Sequence, residues 1–320
     1  MSITLNIKKA IIVGSNGQDG KILSNFLRKK QYKVIELHKD NFDICNLKDV
    51  KNLIQAELPN EVYFLAAFHH SSEDSLISQT DLFFESFKTN TLALINFLES
   101  IKNYSILTKL FYASSSLIFE SNEITLINEN STIKPNCPYS ISKIAANNAC
   151  KMYRENYNVF ASIGILFNHE SFNRKKNFVS KKISTTIIDI LKGDKNEIII
   201  GNINAVVDWG YAEDFVNAMY LVLQLDKPDD FIVATGNKYT IKDYLFYAFN
   251  HVGLNYLDYV KSNHNFLTRK NTVRIGDNTK LRSLTGWQPS VSFPEMVSLL
   301  VEEELVANNI TSNINKLWKH

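Results

Sequence analysis

Tyr139 and Lys143 stand four residues apart in Pro138-Tyr139-Ser140-Ile141-Ser142-Lys143, just where a helical pattern begins. On a helix that spacing brings a phenol and an ammonium out on one face. A positive charge beside a tyrosine lowers the pKa of its hydroxyl, so the phenolate can take a proton from a substrate hydroxyl, or return it, near neutral pH. That is what hydride transfer to or from an alcohol requires. Two other features add to the pair: a glycine-rich turn near the N-terminus and the upstream run Ser114-Ser115-Ser116.

The elements that must position these groups follow from the apolar pattern. Lys8 to Val13 is a short apolar run that meets Gly14-Ser15-Asn16-Gly17-Gln18-Asp19-Gly20, after which Ile22, Leu23, Phe26 and Leu27 recur at helical spacing. This reads as strand, tight turn, helix. Glycines at 14, 17 and 20 let backbone N–H groups and the helix N-terminus approach a pyrophosphate with no Cβ in the way. Gly14, Asn16, Gly17, Gln18, Asp19 and Gly20 are therefore candidate dinucleotide-binding residues. Tyr32 to Leu37 reads as the second strand, whose end discriminates a ribose 2′-hydroxyl from a 2′-phosphate. His38 and Lys39 there favour NADP(H), while Asp40 leaves NAD(H) open. Asn41-Phe42-Asp43-Ile44 starts the next element after a short connection, with Asp43, beside Ile44, placed to meet the adenine amino group.

Glu61 to Ala67 is the next buried strand, and Leu65, Ala66 and Ala67 at its end let a cofactor lie close to backbone. His69 and His70 follow at the mouth of the substrate site. Adjacent rings diverge and no carboxylate or cysteine stands at ligand spacing, so they read as hydrogen-bonding groups and no metal site is assigned. Leu82 to Ile101 has helical spacing with Asn90 on the inner side, and Thr108 to Ala113 is a strand that runs into the three serines. Ligands of doubly wound sheets sit beyond the carboxyl ends of the strands, so these hydroxyls face the nicotinamide and one holds the substrate oxygen beside the phenol.

Beyond the Tyr-Lys helix, Phe160 to Phe167 is another strand, ending in Asn168-His169-Glu170-Ser171. Alternation then weakens, as expected of a smaller substrate lobe. Glu197 to Asn202 reads as strand and turn, Asp208-Trp209-Gly210-Tyr211 leads into a helix carrying Asp214, and Asp230 to Ala234 returns as a strand. The expected division is 1–165 for the dinucleotide and 166–320 mainly for substrate, with segments near 205–235 returning to the first domain.

Composition narrows the classes. The 320 residues are 45% hydrophobic and 21% charged, enough for a large core. The net charge of +2 comes from 35 basic and 33 acidic residues interspersed along the chain, which gives no footprint for nucleic acid. Cys45, Cys137 and Cys150 have neither disulfide parity nor metal-ligand spacing. Without a signal-peptide pattern or a membrane-length apolar run, the expected location is the cytoplasm.

Together the glycine turn, the serine run and Tyr139-x-x-x-Lys143 resemble the extended short-chain dehydrogenases/reductases that modify nucleotide sugars. Gly17-Gln18-Asp19-Gly20, Leu166 to Ser171, Asn177-Phe178-Val179, Asp208-Trp209-Gly210 and Ala234-Thr235-Gly236 sharpen this, each looking like the GDP-mannose 4,6-dehydratases. The resemblance implies Ser115 as hydroxyl donor, Tyr139 as acid/base and Lys143 as its electrostatic partner. It implies a nucleotide-diphosphate sugar, GDP-linked, on Asn168, Glu170, Val179 and Lys182, with Ser116 and His69 near the sugar, Gly201 and Asn202 near the base and Arg269 on the diphosphate. A homodimer or dimer of dimers, paired through the helices around 82–101 and 139–157, is implied as well.

Two positions depart from those relatives. They carry a glutamate two residues after the catalytic hydroxyl, which takes the C5 proton and helps expel the C6 hydroxyl; here the residue is Leu117. A leucine moves no protons, and Glu120, three residues on, would need a rebuilt turn to aim inward. Val207 stands where relatives hold the diphosphate with an arginine, a loss of roughly 1.5–3 kcal/mol of binding.

The expected fold is α/β, a Rossmann-type doubly wound parallel sheet with a smaller, interleaved α/β substrate-binding lobe. The expected function is NAD(P)-dependent hydride transfer at C4 of a nucleotide-activated hexose or heptose, as an oxidoreductase, ketoreductase or epimerase. A full 4,6-dehydratase is the alternative, and a catalytically idle dinucleotide-binding sensor is the alternative of another class.

Overall fold

The computed structural model describes residues 7–69, 77–119, 126–262 and 273–310. Its central sheet grows from the apolar runs. β1 (Lys9–Val13) leads into α1 (Gln18–Lys29), β2 (Lys33–Leu37), α2 (Leu47–Glu57) and β3 (Glu61–Phe64). α3 (Gln79–Phe87) and α4 (Ala93–Tyr104) follow, then β4 (Lys109–Ser115), the short β5 (Leu126–Ile127), α5 (Pro138–Tyr157) and β6 (Ala161–Leu166). The strand order β11-β6-β4-β3-β1-β2 is parallel throughout, with β11 (Asp230–Val233) arriving from late in the chain. Helices cover both faces of such a sheet, which is why β3 and β6, apolar apart from Glu61 and Ser162, are buried along their whole length. The order reverses between β1 and β3, the place where ligands of open α/β sheets bind.

α5, which carries the Tyr-Lys pair, starts with Pro138 at its first position, where a missing N–H costs nothing. Ser140 Oγ accepts from the Cys137 backbone N–H at 3.2 Å and completes the cap. Cys137 thus serves the helix start, and Cys150 is buried in the core.

A second core lies in the smaller lobe. β7 (Asn168–Glu170) pairs with β10 (Trp209–Tyr211), β8 (Ile198–Ile200) with β13 (Val260–Ser262), and β9 (Val206–Val207) with β12 (Tyr239–Thr240). Around them pack α6 (Val179–Lys192), α8 (Ile241–His251) and α10 (Phe293–Ala307), burying Ile183, Ile187, Trp209, Tyr244, Phe249 and Val297 together. α7 (Ala212–Gln224) and β11 lie in the large core instead, and α9 (Thr279–Thr285) packs against β11. β14 (Ile275–Gly276) pairs with β5. Asp208 stitches the crossing points: its buried carboxylate accepts from Thr235 N and Gly236 N at 3.0 Å, Thr235 Oγ1 at 2.6 Å and Gly276 N at 3.0 Å.

Three local expectations change. The element expected from Asn41 begins at Leu47, because Asp43 Oδ1 accepts from Cys45 N and Asn46 then caps the helix by accepting from Lys48 N. The helix expected across 82–101 is interrupted by a π-helical turn, Lys88–Leu92, that displaces Asn90 toward the sheet ends. The strand expected to reach Ala67 stops at Phe64, and Leu65 onward is loop.

Candidate active site

The glycine turn fits a dinucleotide by its shape. Gly14 has φ +93° and lies so near β3 that a Cβ there would meet Ala66 N at 2.7 Å, and one on Gly20 would meet Gly14 O at 2.4 Å. Only glycine lets the turn and α1 close this tightly, leaving the helix N-terminus open toward a pyrophosphate. Ala66 is therefore fixed here by its backbone. At the end of β2 the His38 N–H donates to Asn41 Oδ1 at 2.8 Å, while Lys39 is exposed. Asp43 is also exposed, one oxygen held by Cys45 N.

The side chains of Gln18 and Asp19 turn away from that opening and grip the smaller lobe. Gln18 Nε2 donates to His169 O at 3.1 Å, and Gln18 Oε1 accepts from Ser171 N and Ser171 Oγ at 3.1 and 3.0 Å. His169 Nε2 lies 3.0 Å from both Asp19 oxygens. Burial alone would raise the Asp19 carboxyl, but the charge and hydrogen bond of His169 outweigh it and hold the group below the usual range. Burial would lower the imidazole, and Asp19 reverses that, raising it. Sequence reasoning offered no sign of this clasp, whose halves are 150 residues apart.

Asn90 is a bracket. Its Oδ1 accepts from Phe68 N at 2.8 Å and its Nδ2 donates to Ser142 Oγ at 2.9 Å, tying the loop after β3 to α5. This is the physical use of the π-turn: an extra residue aims a buried amide sideways.

Ser115, at the end of β4, accepts from Leu117 N at 3.2 Å, and its hydroxyl is near enough to the Tyr139 phenol to favour the deprotonated form. Ser114 and Ser116 are buried beside it, and of the three serines it is Ser115 whose hydroxyl acts on the phenol's pKa. Lys143 is fully buried, donates to Ala113 O at 2.7 Å, and has its Nζ 5.6 Å from the Tyr139 ring centroid. The pKa directions are set by burial. Burial pushes the Tyr139 phenol up to about 12, with the Ser115 hydrogen bond opposing it, and burial brings Lys143 down to about 7. Desolvation penalises phenolate and ammonium alike and is the largest cause of both shifts. In this state the phenol is a proton donor.

His69 is exposed and lies edge-on to Tyr139, with ring centroids 5.0 Å apart. Asn168 is exposed at the start of β7, and Val179 opens α6, with Lys182 partly exposed on its first turn. Gly201 and Asn202 follow β8, where Asn202 Oδ1 accepts from Asn204 N at 2.9 Å. Glu170 is given a different task from the one expected: its buried carboxylate accepts from Ser180 Oγ at 2.5 Å and pairs with Arg174 at 3.2 Å, which ties β7 to α6. Arg174, which sequence reasoning passed over, covers the Phe178 ring at 3.7 Å from beside this tie. Ile44 and Leu65 are partly buried, and Asn16 and Ala67 are exposed. His70, Glu120 and Arg269 lie outside the described residues.

A parallel sheet with its glycine turn at the switch point, and a serine, tyrosine and lysine beyond its strand ends, define a short-chain dehydrogenase/reductase of the extended type. Residues 35–300 match the family model described as GDP-mannose 4,6 dehydratase, and the chain belongs to that family. GDP-mannose 4,6 dehydratase 1 of Arabidopsis thaliana is 34% identical over 93% of this chain and 90% of its own. Among solved structures, RMD from Pseudomonas aeruginosa complexed with NADPH superposes with a TM-score of 0.82 at 20% identity, covering 94% of this chain and 99% of its own. dTDP-glucose 4,6-dehydratase from Bacillus anthracis in complex with NAD does so at 0.80 and 18%, covering 94% and 97%.

Proposed function

We propose that this enzyme transfers a hydride between a nicotinamide dinucleotide and C4 of a nucleotide-activated hexose or heptose, GDP-linked, and completes the reaction as an oxidoreductase or epimerase. What supports the reading is the placing of Ser115 at the end of β4 and of Tyr139 in the first turn of α5, with Lys143 Nζ 5.6 Å from the phenol ring centroid, and Leu117 where, by the resemblance, elimination would need a carboxylate. A dinucleotide held by Gly14, Gly17, Gly20 and the N-terminus of α1 supplies the hydride acceptor or donor. Ser115 orients the sugar oxygen. Tyr139 gives that oxygen a proton when a ketone is reduced and takes it back when the alcohol is oxidised. Lys143 holds the phenol's surroundings by its bond to Ala113 O. His38 and Lys39 support NADP(H) over NAD(H), the Lys39 ammonium bringing positive charge toward a 2′-phosphate and His38 standing beside it at the end of β2.

The smaller lobe, from about residue 166 onward, takes the nucleotide sugar through Asn168, Val179 and Lys182, with Gly201 and Asn202 at the base. Pairing through α3, α4 and α5 gives a homodimer or a dimer of dimers in the cytoplasm.

Incubation with GDP-mannose and NADP⁺ tests this, the product being read by mass spectrometry. A product of unchanged sugar mass, or one lighter by two hydrogens, agrees with oxidoreduction or epimerisation. So does a gain of two hydrogens when a GDP-linked 4-keto sugar is supplied with NADPH. The second reading is a full 4,6-dehydratase, favoured by the 34% identity over nearly the whole chain. Loss of one water from GDP-mannose would establish it in place of the first.

A further inference from the structure

The chain leaves the large sheet at the end of β6 and enters the smaller lobe at β7, with only Phe167 between them. At this crossing β7 is held along both edges. One edge pairs with β10, and the other meets the side chain of Gln18, the first residue of α1. Gln18 Nε2 donates to His169 O at 3.1 Å, while its Oε1 accepts from Ser171 N at 3.1 Å and from Ser171 Oγ at 3.0 Å. The amide thus does what a neighbouring strand's peptide group would do, giving to one carbonyl and taking from the N–H two residues on. Gln18 Nε2 also donates to Asp19 Oδ1 at 3.1 Å, and Asp19 closes on His169 Nε2 at 3.0 Å. The imidazole lies flat on Phe215 of α7, 4.5 Å between centroids and 18° between planes.

From Ser171 the hold continues toward α6. Asn173 N donates to Ser171 Oγ at 3.2 Å, Arg174 N to Ser171 O at 3.1 Å, and Lys181 Nζ to Phe172 O at 2.8 Å. The first turn of α6, with Val179 and Lys182, is therefore tied back to two side chains of the glycine turn.

We propose that Gln18 and Asp19 are positioning residues of the nucleotide-sugar site, and that through them a dinucleotide on the glycine turn and a nucleoside diphosphate in the smaller lobe strengthen each other's binding. This rests on the reading above, which gives the two ligands to those two places. The coupling follows from what each ligand meets when β7 is seated on the turn and when it is drawn away. In the seated state both nitrogens of the His169 ring face acceptors, so the ring carries both protons and its charge cancels that of Asp19. With β7 drawn away, the Asp19 carboxylate stands bare at the N-terminus of α1 and repels a pyrophosphate. A dinucleotide therefore favours the seated state. A nucleotide sugar favours it too, because Asn168, Val179 and Lys182 are in place only when β7 is. Two ligands that prefer one state each raise the affinity for the other by the same factor.

Calorimetric titration of the whole protein with GDP, alone and in saturating NADPH, reads this factor. Wild type is expected to bind GDP about fivefold or more tightly with NADPH present, the lower end of couplings between sites. Gln18→Met keeps the length of the side chain, removes its three bonds across the crossing and should bring the ratio to about one. Asp19→Asn removes the charge that separates the two states and should lower the ratio as well. Gly193→Ala strains the end of α6 in the same lobe without touching the crossing, and should keep the wild-type ratio, so that loss of the ratio is told apart from loss of stability. Equal GDP affinity with and without NADPH in wild type, a wild-type ratio in both Gln18→Met and Asp19→Asn, or a ratio lost in Gly193→Ala too would each overturn the proposal. If wild type binds neither NADPH nor GDP, the reading of the two sites falls and takes the proposal with it. Binding of both without coupling removes the proposal alone.

Discussion

His169 points both ring nitrogens at acceptors: Nε2 lies 3.0 Å from each carboxylate oxygen of Asp19, and Nδ1 donates to Phe167 O at 2.7 Å. An imidazole satisfied this way carries both protons and is a cation. The contact joins the glycine turn to β7, so the position of the turn and that of the smaller lobe are not independent.

Breaking this pair removes a buried charge partner, and Asp19→Asn is expected to cost about 3 kcal/mol. Its pH dependence follows from the two shifts. The His169 contribution is whole below the ordinary imidazole value of 6.5 and is lost as pH rises through the higher folded value. The Asp19 contribution is whole above the ordinary carboxyl value of 3.8 and is lost as pH falls through the lower folded one. Urea titrations of wild type and Asp19→Asn should therefore differ most between these two values and converge at alkaline pH.

Gly20→Ala would place a Cβ 2.4 Å from Gly14 O and 2.6 Å from Ser15 Cα, backbone atoms that cannot swing aside. α1 must move away from the turn, and dinucleotide affinity is expected to fall at least about tenfold, near 1.4 kcal/mol. Gly193→Ala is the comparison: φ is +80° but nothing lies within 4 Å, so it costs only about 1–2 kcal/mol of strain at the end of α6. Calorimetric titration with NADPH separates the two, Gly193→Ala binding like wild type.

Asn90→Ala leaves Phe68 N–H without the acceptor it has at 2.8 Å and Ser142 Oγ without its donor. One stranded buried donor costs about 1–3 kcal/mol. Because the same amide sets the loop after β3 against α5, turnover should fall further than thermal stability alone accounts for. Paired measurement of melting temperature and of kcat at a temperature well below melting reads this.

Tyr139→Phe removes the proton donor and should lower ketone reduction by roughly 10²–10⁴-fold while leaving the dinucleotide site formed. The phenol, pushed up to about 12, stays protonated throughout the neutral range, so reduction in the wild type should be nearly flat there. Alcohol oxidation needs the deprotonated group, whose fraction rises with pH, and its rate should climb toward alkaline pH. Initial rates in both directions across pH 6–9 check the sign; opposite slopes would remove Tyr139 from the role.

What lay open in the primary sequence was everything carried by short spacing. The strand, turn and helix around Gly14, Gly17 and Gly20, the placing of Tyr139 and Lys143 on one helical face, and the serine run at the end of β4 depend on residues close along the chain, where backbone geometry is nearly local. The family resemblance used the same local words. What only the tertiary structure decided is who meets whom and in what medium. Glu170 turned from candidate ligand to structural tie because Ser180 and Arg174 fold onto it. Asn90 became a bracket because a π-turn, invisible to a 3.6-residue period, rotates it. Tyr139 and Lys143 moved their pKa values opposite to what proximity suggested, since desolvation belongs to the whole core around a side chain and no spacing encodes it. His69 beside Tyr139 and Asp19 beside His169 are likewise products of parallel strands delivering distant loops to one edge of the sheet.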